Sequence, residues 1–287
     1  MLKRLATLGR AIEHWPLLGR ISCFLGLLLL LWLPVALPLY GLGAYIGASE
    51  AISVVVLVAL AFVFIGISWC WGAWVKRWQY PFQGYGLAVN SSYTFWLAAA
   101  LLCGLAVVLA LFALEVWWGW AYFYPQLTMT IVLSGLGVGF GVGLLEEWFF
   151  RGWLLSELRT EMGLPAAAAW SGLIFAAAHF IKPLPDILAT SPQFFGLLLL
   201  GVILAQLRYV ASSPARSGSL AWPIGFHGGL VWGYYMIDVA DLVIPSARVP
   251  DWVTGIHGNP LSGILGLGSL MLVWAAVTIC GRWRSAS

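Results

Sequence analysis

Long apolar stretches separated by short polar segments dominate the pattern of this chain. Eight of these stretches are long enough to cross a hydrocarbon core of roughly 30 Å as helices. They lie at about residues 21–40, 51–74, 94–118, 128–158, 164–181, 193–210, 218–242 and 262–281. No repeat or low-complexity linker divides them. The pattern therefore predicts an all-α, polytopic integral membrane protein, with residues 21–287 as a single transmembrane domain of eight helices.

The composition favours a bilayer over water as the solvent of this chain. Of its 287 residues, 62% are hydrophobic and 9% are charged, whereas soluble domains carry roughly 25% charged residues. A formal net charge of +3 is too small to indicate a nucleic-acid partner. The four cysteines form no C-x-x-C pair, which argues against a disulfide framework or a thiolate zinc site.

The first residues differ from the rest of the chain. Residues 1–20 are polar and basic, and the apolar run that follows is too long for a signal peptide and lacks a small-residue cleavage site. We predict that residues 1–20 form a basic, amphipathic segment at the membrane interface. A soluble tail is the alternative.

The distribution of Lys and Arg predicts the orientation of the chain. With a cytoplasmic N-terminus and eight spans, the cytoplasmic side would hold Lys3, Arg4, Arg10, Arg20, Lys76, Arg77, Arg159, Arg208, Arg216, Arg282 and Arg284. The opposite side would hold only Lys182 and Arg248. Cytoplasmic loops carry an excess of Lys and Arg, so we predict that both termini are cytoplasmic.

Three charged residues interrupt the apolar stretch "LLEEWFFRGW". A charged side chain at the bilayer centre costs roughly 2.5–3.5 kcal/mol on insertion scales. Glu147 and Arg151 are four residues apart, so on a helix they can form an ion pair. Glu146 lies about 100° further round the helix and stays unpaired, as suits a general base that holds a water. The alternative is an ion-pair cluster that only fixes helix packing.

Glycines precede the two glutamates in "GLGVGFGVG". The spacing of Gly135, Gly139 and Gly143 lets neighbouring helices approach closely. On an α-helix Gly139, Gly143 and Trp153 share a face with Glu146, so we also expect open space beside that carboxylate.

Two histidines lie within apolar stretches, His179 in "SGLIFAAAHF" and His227 in "WPIGFHGGLVWGYY". We expect the two glycines after His227 to leave space around its imidazole. At 1.5 Å per residue, Glu146 and His227 lie about 18 Å and 12 Å from the cytoplasmic ends of their helices, and His179 about 21 Å from Leu164. Ionisable groups on three separate spans indicate a functional site within the membrane.

These motifs together resemble a known family. "EEWFFR" fits E-E-x-x-x-R, "FAAAH" fits F-x-x-x-H, and a histidine opens a later motif. Their order is similar to that of the CPBP or ABI family of intramembrane proteases, typified by the CaaX prenyl endopeptidase Rce1. The motif-bearing helices lie at about 128–158, 164–181 and 218–242.

The resemblance implies an intramembrane endopeptidase in which a glutamate-activated water cleaves a peptide bond. Its catalytic residues would be Glu146, His179 and His227, supported by Glu147, Arg151 and Phe175. Glu146 would be the general base, and the two histidines would hold the water, stabilise the oxyanion or bind a metal. One glutamate and two histidines could hold a zinc ion or act without one. The substrate would be a prenylated or membrane-embedded peptide.

The chain departs from the family pattern at one position. The last family motif usually reads H-x-x-x-N, but the fourth residue after His227 is Val231, which cannot donate a hydrogen bond. Tyr234, seven residues after His227 and on nearly the same helix face, is the predicted replacement donor.

Two other functions stay open. The first is a non-catalytic membrane partner or escort protein whose Glu, Arg and His cluster is structural. The second is a proton-coupled transporter. The clustering of the polar groups and the lack of an inverted repeat argue against it.

Overall fold

The computed structural model describes residues 2–210 and 218–280, and helices account for most of them. The α-helices are α1 (Leu2–Glu13), α2 (Leu17–Ile46), α3 (Ser49–Trp74), α4 (Pro81–Gly84), α5 (Ser91–Trp117), α6 (Met129–Glu147), α7 (Leu155–Leu158), α8 (Leu164–Ala178), α9 (Leu184–Thr190), α10 (Gln193–Val210), α11 (Ala221–Val239), α12 (Asp251–Thr254) and α13 (Ile264–Cys280). A π-helix joins α6 to α7 over Trp148–Leu154, and two 3₁₀ turns, Ile256–Gly258 and Pro260–Ser262, precede α13. Each of the eight predicted apolar stretches contains a helix.

The helices differ in their capacity to cross a membrane. Among the described residues, four helical segments are long and apolar enough, namely α2, α3, α5 and the continuous segment Met129–Leu158. A fifth candidate is the pair α9 and α10, which is bent by 75° at a short break. The helices α8 and α13 are apolar but have only 15 and 17 residues. By length and composition the eight predicted spans are therefore not confirmed.

Two short strands depart from the all-α prediction. β1 (Ala121–Phe123) follows α5, and β2 (Val243–Pro245) follows α11. They pair antiparallel, with Tyr122 opposite Ile244. Runs of three residues are too short to show the alternation by which strands are recognised in a sequence.

The chain forms two compact units, Met1–Gly84 and Tyr85–Ser287. In the first unit α1 packs on α3, where Gly9 lies against the backbone carbonyl of Trp74. The helix α1 covers most of the predicted basic segment 1–20, whose location at the membrane surface stays a prediction. Two prolines, Pro34 and Pro38, lie within α2 without ending it.

Close backbone contacts hold the centre of the second unit together. The helix α11 packs between α5 and α6. A side-chain carbon on Gly229 would overlap the carbonyl of Leu101 in α5, and one on Gly139 of α6 would overlap the carbonyl of Gly228. The contacts therefore depend on glycine, as is common where helices pack within membranes.

These glycines correct one prediction from the sequence. A side-chain carbon on Gly143 would lie 2.6 Å from the carbonyl oxygen of Ile224. The expected space beside Glu146 on this face is therefore filled by the backbone of α11. The glycines after His227 likewise pack against α5 and α6.

Alanine substitutions on α6 test the close approach of α6 and α11. We expect Gly139→Ala to lower the free energy of unfolding by about 1–3 kcal/mol, since overpacking forces the backbones apart. Gly141, two residues later, has no atom within 4 Å of an added side-chain carbon. Gly141→Ala should therefore leave stability unchanged or raise it slightly through helix propensity. Denaturant unfolding in detergent micelles measures both, and equal effects would contradict the packing described.

Candidate active site

The helix that carries the two glutamates changes its winding directly after them. α6 ends at Glu147, and the next seven residues form the π-helix, where the N–H of Leu155 donates to the carbonyl of Phe150. Single π-helical turns are rare and occur frequently at functional sites. The wider turn shifts the helical phase of Trp153, which is fully buried against Phe149 at a ring-centroid distance of 5.3 Å. The α-helical spacing that placed Trp153 on the face of Glu146 therefore does not apply.

Donors from two neighbouring helices satisfy the carbonyls of the π-helix. Ser171 Oγ of α8 donates to the carbonyl of Phe150 at 3.1 Å. Arg208 of α10 donates to the carbonyl of Arg151 and lies 3.3 Å from that of Gly152. Buried carbonyls need such partners, so these side chains stabilise the altered winding.

The orientation count assigned Arg208 to the cytoplasmic side. Arg208 lies in the last turn of α10 with 2% of its surface exposed. The count also included Arg216, Arg282 and Arg284, which lie outside the described residues. The cytoplasmic location of both termini stays a prediction.

Glu147 and Arg151 form a buried ion pair. Arg151 Nη1 donates to Glu147 Oε1 at 2.8 Å, and neither side chain has exposed surface. Arg151 Nη2 also donates to the carbonyl of Gly201 in α10 at 3.2 Å. The guanidinium carbon lies 4.3 Å from the ring centroid of Phe175. The positive charge of Arg151 is thus balanced by Glu147 and enclosed by protein. The two residues are four apart, which is the spacing from which the sequence predicted their pairing.

His227 shares the carboxylate of Glu147, which the sequence did not predict. Its Nδ1 lies 2.8 Å from the same oxygen, Oε1, that accepts from Arg151. A carboxylate only accepts, so Nδ1 of His227 donates and Nε2 is the acceptor of the neutral ring. Because His227 lies 80 residues beyond Glu147, no spacing within one helix could have revealed this contact.

His179 is held in a similar way by a backbone carbonyl. It caps the end of α8, which stops at Ala178 rather than continuing to residue 181 as predicted. Its Nδ1 lies 2.8 Å from the carbonyl oxygen of Phe175. A carbonyl accepts, so Nδ1 again donates and Nε2 is left as the acceptor.

Phe175 packs between these groups. Its ring centroid lies 4.6 Å from that of His179 and 5.9 Å from that of His227, both in edge-to-face geometry. The side chain is fully buried. These contacts restrict the rotation of both imidazoles.

Glu146, His179 and His227 line one cavity of about 270 Å³, together with Phe175 and Tyr234. The Oε2 atom of Glu146 is buried and has no hydrogen-bond partner among the described residues. Three helices therefore bring the Glu146 carboxylate and two oriented imidazoles to the same cavity. Such a set can remove a proton from a water and hold that water in place.

Most of the remaining cavity wall is apolar. Leucines from four helices contribute to it, namely Leu111 of α5, Leu200 of α10, Leu230 of α11 and Leu270 of α13. Val231 also lines the cavity, as do the two amide residues Gln193 and Asn259. The two amides were not predicted, because each lies at the boundary of a helix or turn and belongs to no recognisable motif.

The described residues include no group of three or more His, Cys, Asp and Glu side chains arranged to hold a metal ion. Glu146, His179 and His227, which the sequence indicated as possible zinc ligands, line the cavity without meeting that arrangement. They therefore do not fit a three-ligand zinc site as they stand.

Comparison with known proteins identifies part of the chain. Residues 128–233 match the model of a protein family described as Rce1-like type II CAAX prenyl endopeptidases. The match covers the segment that carries the three motifs, and it confirms the resemblance to the CPBP family there. No curated protein and no solved structure matches the chain.

A neutral replacement of Glu147 tests the shared carboxylate. We expect Glu147→Gln to lower the free energy of unfolding by about 3–5 kcal/mol, because it leaves the charge of buried Arg151 uncompensated. Glu50→Gln, at an exposed position in the first turn of α3, should change it by no more than about 1 kcal/mol. Thermal unfolding in detergent measures both variants. A Glu147→Gln protein as stable as Glu50→Gln would refute the importance of this charge.

Proposed function

We propose that this chain, whose residues 128–233 match the Rce1-like family, is an intramembrane endopeptidase that hydrolyses a peptide bond with a glutamate-activated water. The family match indicates a hydrolase of this general type. The observation that carries the finer proposal is the cavity shared by Glu146, His179 and His227. An unpaired carboxylate in a largely apolar cavity, beside two imidazoles, is suited to general-base catalysis.

In the proposed reaction Glu146 removes a proton from a water in the cavity. The resulting hydroxide attacks the carbonyl carbon of the peptide bond, and the carbonyl π electrons move to oxygen to give a tetrahedral oxyanion. When the oxyanion collapses, the C–N bond breaks and the leaving nitrogen takes the proton from Glu146. The products are a carboxylic acid and an amine, and the carboxylate is regenerated.

The neighbouring residues position the reacting groups. Glu147 orients His227 and fixes its tautomer through Nδ1, and the carbonyl of Phe175 does the same for His179. In both rings Nε2 is then the acceptor and can receive a hydrogen bond from the water. Hydrogen-bond partners of this kind commonly fix the tautomer and orientation of functional histidines.

The oxyanion needs a hydrogen-bond donor, and Nδ1 of each histidine ring is already engaged by another partner. Val231 has no polar atom in its side chain, whereas Tyr234, which also lines the cavity, carries a phenolic hydroxyl. Tyr234 is therefore a proposed donor to the oxyanion. A Tyr234→Phe variant that cleaves as fast as the parent would remove Tyr234 from the mechanism.

The proposed substrate is a prenylated or otherwise membrane-embedded peptide. The apolar cavity wall suits a hydrophobic chain near the scissile bond, and the family description names a prenyl endopeptidase. The lipid bilayer is the second expected partner.

The proposed topology has eight spans, with α8, α10, α11 and α13 crossing in addition to the four longest helical segments. Helix α8 is the critical case, because it is short for a spanning helix. It separates Glu161 and Ile181, which are both exposed. If α8 crosses the membrane, these residues lie on opposite sides.

Labelling of single cysteines tests the crossing by α8. In a background without the native cysteines, we expect Glu161→Cys and Ile181→Cys in sealed vesicles to react with an impermeant maleimide from opposite sides. Detergent-solubilised protein should label at both positions. Reaction of both cysteines from the same side would refute the eight-span topology.

Glutamine at position 146 tests the catalytic proposal. Purified Glu146→Gln should cleave an internally quenched farnesylated CaaX peptide about 10²–10⁴-fold more slowly than the parent, because the general base is lost. Glu161→Gln, with its exposed glutamate, should cleave at the parental rate. Comparative proteomics of membranes from cells that express the parent or Glu146→Gln should show natural substrate accumulating in the variant.

Cleavage of a confirmed substrate by Glu146→Gln at the parental rate would refute the proposal. The non-catalytic alternative makes a different prediction. If the cluster is only structural, Glu146→Ala lowers stability without a specific loss of function.

A further inference from the structure

The site described above lacks a fixed donor for the oxyanion, and the following inference rests on the proposed function. In both histidine rings the nitrogen that carries the proton is already committed, to Glu147 in His227 and to the carbonyl of Phe175 in His179. Efficient oxyanion stabilisation requires donors that are oriented before the reaction. A suitable donor is therefore a side chain of the cavity lining whose orientation the fold already fixes.

Asn259 meets this requirement. It lines the cavity from the loop between α12 and α13, outside the residues that match the family model. Its side-chain Oδ1 accepts from the N–H of Leu261 at 2.9 Å, as the cap of a 3₁₀ turn. Its own N–H donates to the carbonyl of Ile256, and its carbonyl accepts from Ser262. Within the described residues, Nδ2 is the one polar atom of Asn259 that makes no hydrogen bond.

The loop 255–263 that carries Asn259 is held on both sides. A side-chain carbon on Gly196 of α10 would overlap the carbonyl of Leu261, and one on Gly266 of α13 would overlap that of Pro260. The loop therefore lies in direct backbone contact with two helices that line the cavity. Such packing limits the movement of the Asn259 side chain.

Three other residues of the cavity lining have neutral donors, namely Gln193, Tyr234 and Ser269. The hydroxyl of Ser269 already donates to the carbonyl of Leu265 at 3.0 Å. Within the described residues, neither the amide of Gln193 nor the hydroxyl of Tyr234 has a hydrogen-bond partner that would fix its direction. Ordering a free glutamine side chain costs up to about 1.5–2 kcal/mol of rotamer entropy. Asn259 avoids most of that cost because its cap already fixes the amide.

We infer that Nδ2 of Asn259 donates a hydrogen bond to the oxyanion of the tetrahedral intermediate. Asn259 is then a catalytic residue supplied by the loop 255–263. It provides the amide donor that Val231, four residues after His227, cannot provide.

The variant Asn259→Asp tests the role of the Nδ2 donor without removing the oxygen that caps the 3₁₀ turn. Asn259→Asp keeps an oxygen for the N–H of Leu261 but removes the N–H donor. We expect kcat on the farnesylated peptide to fall about 10²–10³-fold, as for loss of an oxyanion donor, with a much smaller change in KM. Asn259→Ser, which retains capping ability but lacks the amide N–H, should show a similar loss.

Asn90 offers a matched control. Its Oδ1 accepts from the N–H of Tyr93 at 2.9 Å as the cap of α5. Asn90→Asp makes the same chemical change at another cap and should leave kcat at the parental value. Thermal unfolding of all three variants verifies that each is folded.

Inhibition provides a readout that does not depend on turnover. A farnesylated peptide with a phosphinate in place of the scissile bond resembles the tetrahedral oxyanion. Its inhibition constant, measured by displacement of a fluorescent substrate peptide, should rise in Asn259→Asp by about the same factor as kcat falls. The substrate peptide itself should bind with nearly parental affinity.

Two outcomes distinguish failure of this inference from failure of the proposed function. If Glu146→Gln loses activity but folded Asn259→Asp and Asn259→Ser keep the parental kcat, only the assignment of Asn259 is wrong. If Glu146→Gln also cleaves at the parental rate, the proposed function itself is wrong.

Discussion

One buried carboxylate oxygen organises the candidate site. Oε1 of Glu147 accepts from Arg151 and from His227 at the same distance, 2.8 Å. Through this oxygen the imidazole of His227 on α11 is bonded to the end of α6. The guanidinium of Arg151 also donates to α10, so the same group of bonds reaches a third helix. Burying an unpaired charge would cost several kcal/mol, so this arrangement tolerates little displacement of the three helices.

The backbone around this oxygen is specialised to bring the helices together. Glycines on α6 and α11 allow backbone contact where larger side chains would hold the helices apart. The π-helix that follows Glu147 would leave carbonyls without regular partners, and Ser171 and Arg208 supply them from α8 and α10. The result is a site whose parts come from distant segments but share one cavity.

Local features of this site could be predicted from the sequence. The i,i+4 spacing of Glu147 and Arg151 indicated their pairing, and the apolar stretches indicated the positions of the long helices. Contacts between helices could not be predicted, because spacing along one helix carries no information about its neighbours. The bond between His227 and Glu147 is therefore absent from the sequence prediction, as is the burial of Arg208. The sequence correctly indicated that the glycines of α6 are packing residues. The space expected beside Gly143 is occupied by the backbone of α11, because the absence of a side chain allows either a water or a neighbouring helix to fill that space.

The short length of α8 has a consequence for the supply of water. Fifteen residues span about 22 Å at 1.5 Å per residue, well below a hydrocarbon thickness of roughly 30 Å. A short span is accommodated by local thinning of the bilayer, and α8 ends at His179, which lines the cavity. If α8 crosses as proposed, the aqueous phase is drawn inward toward that ring. Each hydrolytic cycle consumes one water, and this deformation would shorten its route from the bulk.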